Sequence, residues 1–477
     1  MDTTSETSQY PTVDIPATVE GQRNFFRTGA TLSIKFRREM LHRLYNAIEQ
    51  WEEELSKALW EDLHKCAEEA YLTEISIVKG EIKEHLKNLH KWARTKRVST
   101  PATLLPSKSY LVKEPLGTAL IIAPWNYPVQ LLLAPLVGAI SAGCTAVLKP
   151  SPYVPNVSRV LEEMIGTIFE AKYIKVIQGH RDTNEQLLEQ RWDMIFFTGS
   201  PALGKTVMAA AARNLTPMVL ELGGKSPCII DSTADIETAS RRIAWGKTLN
   251  SGQTCIAPDY IIIHKDVKGA FIEAFGKRIQ EMHGNDILES PHYVHMVNEK
   301  AFRRVCSYMK YGKVAYGGRS NPSTLCIEPT LLEDVPMDSP VMEEEIFGPI
   351  FPMIVMDDTG SNTGNGNGTT FNQKAIDFIT SREKPLALYY FGDEEKGWEV
   401  VQHTSSGGGC INDVIMHIAN GNLPFGGVGN SGMGHYHGRE SFECFTHTRS
   451  VLVNKPRLDL PFRYTPYKMF SLIRRLM

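Results

Sequence analysis

No two cysteines of this chain stand at Cys-x-x-Cys spacing; the eight fall singly at 66, 144, 228, 255, 306, 326, 410 and 444 of 477 residues. A zinc ribbon or a thioredoxin-type dithiol therefore has no support. Neither sign of charge dominates, with 51 basic against 54 acidic residues and a net charge of −3, and no basic stripe points to nucleic acid as a partner. Residues 1–20 are rich in Ser and Thr and hold no apolar h-region, so they do not read as a secretory signal. They are expected to form a loose arm over 1–19. Scattered thiols without such a leader fit a reducing, cytoplasmic setting. No repeat of solenoid period is present. The chain has one long uncharged run, VQLLLAPLVGAISAGCTAVL at 129–148, which is long enough to cross a bilayer. Pro135 and Gly143 interrupt it and KPSP follows directly. It is therefore read as a helix over 129–142, a turn at Gly143 and a strand at 144–148, both buried.

What is present is ordinary for a globular chain: 42% hydrophobic and 22% charged residues. The length suits about three domains, or one large α/β unit with a subdivided core. Residues 33–59 repeat apolar side chains at helical spacing (Phe36, Met40, Leu44, Ile48, Leu55, Leu59), and more helix is expected at 67–93. Within 95–117, SYLV reads as a strand. From 118 to 231 the apolar runs TALIIA, CTAVL, YIKVI, DMIFF, PMVLEL and PCII alternate with helical stretches. That alternation predicts βαβ units around a parallel sheet, an α/β fold. A second α/β stretch runs to about 425, with IIIH, VAYGG and FPMIVM as strands. The segment 357–371, DDTGSNTGNGNGTTF, is expected to be a flexible surface loop.

Several segments carry chemistry-bearing residues. DMIFF leads into Thr198-Gly199-Ser200-Pro201-Ala202-Leu203-Gly204-Lys205, a strand-to-helix turn where a phosphate group could meet bare backbone and a helix N-terminus. Its spacing is not GxGxxG, and a ligand-free βα turn explains it as well. Lys149, in VLKPS, closes a buried strand where open α/β sheets bind ligands; a surface lysine is the plain alternative. Cys255 follows the loop Asn250-Ser251-Gly252-Gln253-Thr254. It could be a displayed nucleophile or a small buried hydrophobe, and nothing cationic adjoins it. Glu221, in LELGGKS, closes an apolar strand. A desolvated carboxyl there could be a general base, and a paired strand-end carboxylate is the alternative. Asn126, in the stiff loop PWNYP, could donate to an oxyanion or simply make a turn. Glu345 and Phe347, in EEIFGP, stand beside a rigid turn in an acidic loop.

Together, in this order and spacing, these segments resemble the aldehyde dehydrogenase superfamily from about residue 25 to 467. LELGGKS is similar to the family's glutamate signature and SGQTC to its cysteine signature, with 34 residues from Glu221 to Cys255. The segment Asn412-Asp413-Val414-Ile415-Met416-His417, the run LPFGGVGNSGMGHYHG at 423–438 and RYTPYK at 463–468 resemble class 3 members. The resemblance implies a Rossmann-like cofactor domain (20–94 and 113–221), an α/β catalytic domain (222–424) and a β bridging or oligomerisation element (95–112 and 425–456), followed by a tail at 457–477. It implies NAD- or NADP-dependent oxidation of medium- and long-chain aliphatic or aromatic aldehydes, in a homodimer. Cys255 would be the nucleophile, Asn126 with the Cys255 N–H the oxyanion donors, and Glu221 the activator of the hydrolytic water. Lys149 would hold the adenine-side ribose, Glu345 the nicotinamide ribose, and Phe347 would flank the nicotinamide. Gly199, Ser200 and Gly204 would form the pyrophosphate turn, with Trp125, Thr198 and Leu222 also touching the cofactor.

A coenzyme-A-acylating or semialdehyde-specific relative, or a non-catalytic homologue, is the alternative reading. The retained Glu221 weighs against coenzyme-A acylation, the class 3 C-terminal pattern against small charged substrates, and intact Cys255, Glu221 and Asn126 against a non-catalytic homologue. Histidines 417, 435, 437 and 447 lack ligand spacing, so no metal is expected. The tail, with Met469, Phe470, Leu472 and Ile473, is expected to pack on the body or stay loose rather than lie on a membrane. One departure matters. Many relatives carry KPSE where this chain has Lys149-Pro150-Ser151-Pro152. Pro152 cannot accept a hydrogen bond and brings no negative charge to oppose a 2′-phosphate. Steady-state kinetics with NAD and NADP should therefore show appreciable turnover with NADP, and strict NAD use would refute this reading of Pro152.

Overall fold

A computed structural model describes residues 10, 13–358, 369–455, 464–467, 470 and 474. The expected helix over 33–59 is two helices, Ile34–Gln50 and Glu52–Leu63, broken at Trp51. The expected helix over 67–93 is present, but its second turn, Tyr71–Ile75, is a π-helix between Ala67–Ala70 and Ser76–Ala93. A π-turn carries an extra residue per turn and rotates the following side chains. Within that turn, Glu74 is fully buried.

Six strands form one sheet in the order Gly432–Met433, Met218–Glu221, Met194–Thr198, Thr118–Ile122, Thr145–Lys149, Ile174–Val176. All neighbours are parallel except the antiparallel edge strand, where Gly432 pairs with Glu221. The chain builds outward from Thr118–Ile122 in one direction, then crosses back to Met194–Thr198 and builds the other way. The carboxyl ends of those two strands therefore flank a topological switch point, where open α/β sheets bind ligands.

A second sheet has seven strands in the order Lys313–Tyr316, Thr330–Glu333, Ile350–Met356, Tyr260–His264, Pro227–Ile230, Ala387–Phe391, Gly408–Ile411. Only its first strand runs antiparallel to its neighbour. A third, antiparallel sheet joins Lys96–Val98, Lys108–Pro115 and Thr446–Val453.

The uncharged run is the buried helix Gln130–Ala142 and the buried strand Thr145–Lys149. Gly143 caps the helix with φ 95°, and a β-carbon there would lie 2.8 Å from Thr31 O and Arg37 Nε. Among the described residues no helix is long and apolar enough to cross a membrane. The expected loose arm is corrected over its last residues. Asp14 caps a helix, Ile15–Arg27, whose Ile15 and Val19 are buried with Leu120 and Val147 of the six-stranded sheet. Gln22 of this helix donates to Ala146 O at 2.9 Å. Residues 1–9, the core 359–368 of the expected surface loop, and most of the tail lie outside the described residues. The far end of that loop is ordered: Thr370 caps the helix Phe371–Thr380, and Phe371 is buried.

Gly143→Ala should lower stability by about 1–3 kcal/mol, the cost of left-handed backbone at a residue with a side chain. Denaturant unfolding reads it directly, and an unchanged midpoint would contradict this account of the turn.

Candidate active site

Helix Ile236–Thr248 ends in an unusual loop. Asn250, Ser251 and Gly252 take φ values of 50°, 55° and 71°, three left-handed residues in succession. Asparagine tolerates this conformation, serine does so at a cost, and glycine is required at the third position. A β-carbon on Gly252 would lie 2.6 Å from Gly348 O. The surroundings impose the loop. Asn250 N–H donates to Glu69 Oε1 at 2.9 Å. The Asn250 amide donates to Asn126 O and Gln253 O, both at 3.0 Å. The Gln253 amide donates to Asn250 O and His295 O, and its Oε1 accepts from Val297 N–H. Thr254 shares a 2.7 Å hydrogen bond with Tyr127 OH, and Tyr389 OH donates to Ile256 O at 2.6 Å. Cys255 is thus pinned on both sides and half-buried.

Asn126 is buried, and its amide donates to Gln253 O at 2.9 Å while its Oδ1 has no partner. An amide nitrogen carries two hydrogens, so this bond orients the group and leaves one N–H available. The loop carrying it is held from below by a buried ion pair. Lys65 Nζ lies 2.6 Å from Glu74 Oε1 and donates to Asn126 O at 3.2 Å. Glu74 Oε2 accepts from Val129 N–H at 2.8 Å and Gln130 N–H at 3.3 Å, at the start of the buried helix.

Glu221 ends its strand fully buried, and neither carboxyl oxygen has a partner. Burial drives its pKa well above the usual carboxylate range. Glu345 is pushed up to about 8, first by burial and then by Asp259, against the opposing Gly224 N–H and Lys225. A β-carbon on Gly223 would lie 2.0 Å from Glu345 Oε2, so the first glycine of LELGGKS makes room for this carboxyl. Lys225 pairs with Asp259 and donates to Val341 O and Glu344 O, while Asp259 accepts from Ile346 N–H at 2.9 Å. These contacts tie the two acidic segments together. Burial raises the Cys255 pKa, and the Glu345 and Glu221 carboxylates raise it further. Phe347, at φ 49°, sets its ring edge-on to Trp125 with centroids 5.4 Å apart.

The switch-point residues lie at neighbouring strand ends. Lys149 is buried, pushed down to about 8 by burial, and donates to Pro150 O at 2.8 Å. Thr198 is buried, and its hydroxyl has no partner. Gly199 N–H donates to Glu221 O at 3.0 Å, tying the turn to the carboxylate strand. Ser200 caps helix Pro201–Ala212. Both glycines here have packing reasons. A β-carbon would meet the Phe197 ring at 2.6 Å from Gly199, and Leu222 Cδ2 at 2.7 Å from Gly204. The buried, unpartnered Thr198 hydroxyl, the buried Lys149 ammonium and the helix N-terminus together fit a dinucleotide with its phosphates at the turn. The supports Glu69, Lys65 and Tyr127 had no assigned role in sequence. Tyr127 stands inside PWNYP and was open to notice, whereas nothing local marks Glu69 or Lys65.

A thiol flanked by two desolvated carboxyls, beside the switch point of a doubly wound sheet, is the layout of an oxidoreductase that works on a carbonyl. The chain belongs to the aldehyde dehydrogenase family, whose model matches residues 2–451. It is 47% identical over 447 residues to the 4,4'-diaponeurosporen-aldehyde dehydrogenase of Staphylococcus aureus, covering 93% of this chain and 95% of that one. It is 42% identical to the dimeric NADP-preferring aldehyde dehydrogenase of Canis lupus familiaris (95% and 98% covered) and 42% identical to human aldehyde dehydrogenase family 3 member B1 (94% of each). The solved substrate-bound state of Staphylococcus aureus AldH superposes with a TM-score of 0.93 at 45% identity, over 98% of this chain and all of that one. The protein is therefore an aldehyde-oxidising enzyme that uses NAD or NADP.

With no cofactor bound, Cys255 should be a neutral thiol at neutral pH. Iodoacetamide labelling followed by mass spectrometry should rise about tenfold per pH unit between about pH 7 and 9. Glu345→Gln, which removes a neighbour that turns negative above about pH 8, should raise labelling at the alkaline end of that curve. A native plateau near pH 7 would contradict the electrostatics described.

Proposed function

We propose that this enzyme oxidises medium- and long-chain aliphatic or aromatic aldehydes to carboxylic acids, accepts both NAD and NADP, and works as a cytoplasmic homodimer. The observation that supports the substrate class is the likeness of 412–417 and 423–438 to class 3 members, together with 42% identity to human aldehyde dehydrogenase family 3 member B1. The names of the relatives agree with this, since one acts on a carotenoid-type aldehyde and another prefers NADP. Pro152, without charge or acceptor, favours tolerance of a 2′-phosphate.

In the proposed mechanism, Cys255 gives up its thiol proton to solvent, Sγ adds to the aldehyde carbon and the carbonyl electron pair moves to oxygen. The free Asn126 amide N–H and the Cys255 backbone N–H stabilise that oxygen, a donor of this kind contributing about 3 kcal/mol. Lys149, Thr198, Gly199, Ser200 and Gly204 hold the adenine and phosphate side of the dinucleotide, with Leu222 packed beneath. Glu345, Trp125 and Phe347 bound its nicotinamide side. When bound, the nicotinamide supplies the hydride acceptor. Loss of hydride leaves an acyl thioester on Sγ. Glu221 then takes a proton from water, the oxygen attacks the acyl carbon, and the thiol leaves. Its raised pKa makes Glu221 a stronger base at the expense of its ionised fraction. The six-stranded unit (20–94 and 113–221) would bind the cofactor, 222–424 would carry the catalytic groups, and 95–112 with 425–456 would bridge and dimerise. Strand Lys108–Pro115 crosses the first of these boundaries, and Gly432–Met433 reaches back into the cofactor sheet.

A series of aldehydes, followed by reduced-nicotinamide absorbance, tests the reading. Long-chain and aromatic members should show the highest kcat/KM, Cys255→Ala should abolish turnover while leaving cofactor binding, and Glu221→Gln should keep the burst but slow the steady state. Preference for short charged semialdehydes, dependence on coenzyme A, or unchanged steady state in Glu221→Gln would overturn it.

A further inference from the structure

Away from this site, Cys66, Glu68 and His292 converge from two distant parts of the chain. Cys66 precedes the short helix Ala67–Ala70, Glu68 lies in its first turn, and His292 follows the turn Ile287–Glu289. One ligand atom from each, a sulfur, a carboxylate oxygen and an imidazole nitrogen, lies within 4.8 Å of the other two. It is the one such group of three among the described residues. Glu68 and His292 are exposed, and Cys66 is half-buried, so an ion has an open route in.

The frame of this cluster is already assembled. His295 N–H donates to Leu63 O at 3.1 Å, and the His64 and His295 rings stack with centroids 3.8 Å apart and 11° between planes. The two segments are thus held together by contacts that do not involve the three candidate ligands. Bonds of about 2.0–2.3 Å in a tetrahedral zinc site place ligand atoms about 3.5 Å from one another. Closing from 4.8 Å needs only side-chain rotation, which exposed glutamate and histidine allow.

We propose that Cys66, Glu68 and His292 bind a thiophilic divalent cation of the zinc class, with water in the fourth position. A thiolate with imidazole selects zinc, cobalt or cadmium over magnesium or calcium. As the sulfur–metal bond forms, the thiol proton leaves to solvent. The same segments support the nucleophile loop, since Glu69 accepts from Asn250 N–H and His295 O accepts from the Gln253 amide. A bound cation would cross-link these two supports.

The test is a cobalt(II) titration of the full chain carrying Cys255→Ser, so that the catalytic thiol contributes no signal. The expected result is one equivalent bound, with a near-ultraviolet thiolate-to-cobalt charge-transfer band that zinc displaces and magnesium does not. Adding Cys66→Ser should remove the band, and His292→Ala, a surface change, should weaken binding at least about tenfold. Cys306→Ser, a half-buried thiol elsewhere, should leave it intact. Thermal unfolding without metal identifies any variant that has failed to fold. A band that survives Cys66→Ser, affinity unchanged by His292→Ala in the folded protein, or no band at all would overturn the proposal.

Discussion

The loops that carry Asn126 and Cys255 hang on one buried ion pair, Lys65 with Glu74. Both side chains are fully removed from solvent. Two charges so placed are tolerable only if every remaining lone pair and proton is used, and breaking such a pair typically costs about 3–5 kcal/mol. Here each partner is satisfied by the structure it organises. Glu74 receives the N–H groups that open the buried helix Gln130–Ala142, and Lys65 donates to Asn126 O and lies 4.3 Å from the Tyr127 ring centroid. Asn126 O also receives the Asn250 amide, so one carbonyl couples the Asn126 loop to the loop that leads into Cys255. The π-turn that contains Glu74 lies at the root of this chain of contacts.

A second constraint is electrostatic. Cys255, Glu221 and Glu345 are three desolvated acids, and the two carboxylates raise the cost of ionising the thiol. Among the described residues no cation figures among the groups acting on the thiol, and Lys225 is occupied by Asp259 and two carbonyls. Burial therefore favours the neutral form of all three groups.

Much of the fold was legible because buried parallel strands read as continuous apolar runs. TALIIA, CTAVL, DMIFF, PMVLEL and IIIH each overlap an observed strand. Among the strands that local pattern does not mark, Gly408–Ile411 is half glycine. The break at Trp51 follows no proline or glycine, and the helix from Ile15 buries only Ile15, Val19 and Gln22, so its order comes from packing against the sheet.

The sequence alone determined the family, the alternation of strands and helices, and the stations of Glu221, Cys255, Asn126 and Glu345, because motif spacing survives as spacing. Only the tertiary structure decided what those residues experience. Burial without partners raises Glu221, an edge-on ring sets Phe347 against Trp125, and a distant glutamate, Glu69, holds Asn250 in a left-handed turn. These are effects of dielectric and of contacts between remote segments. A linear pattern carries neither, because desolvation and hydrogen-bond satisfaction exist only once the chain has closed on itself.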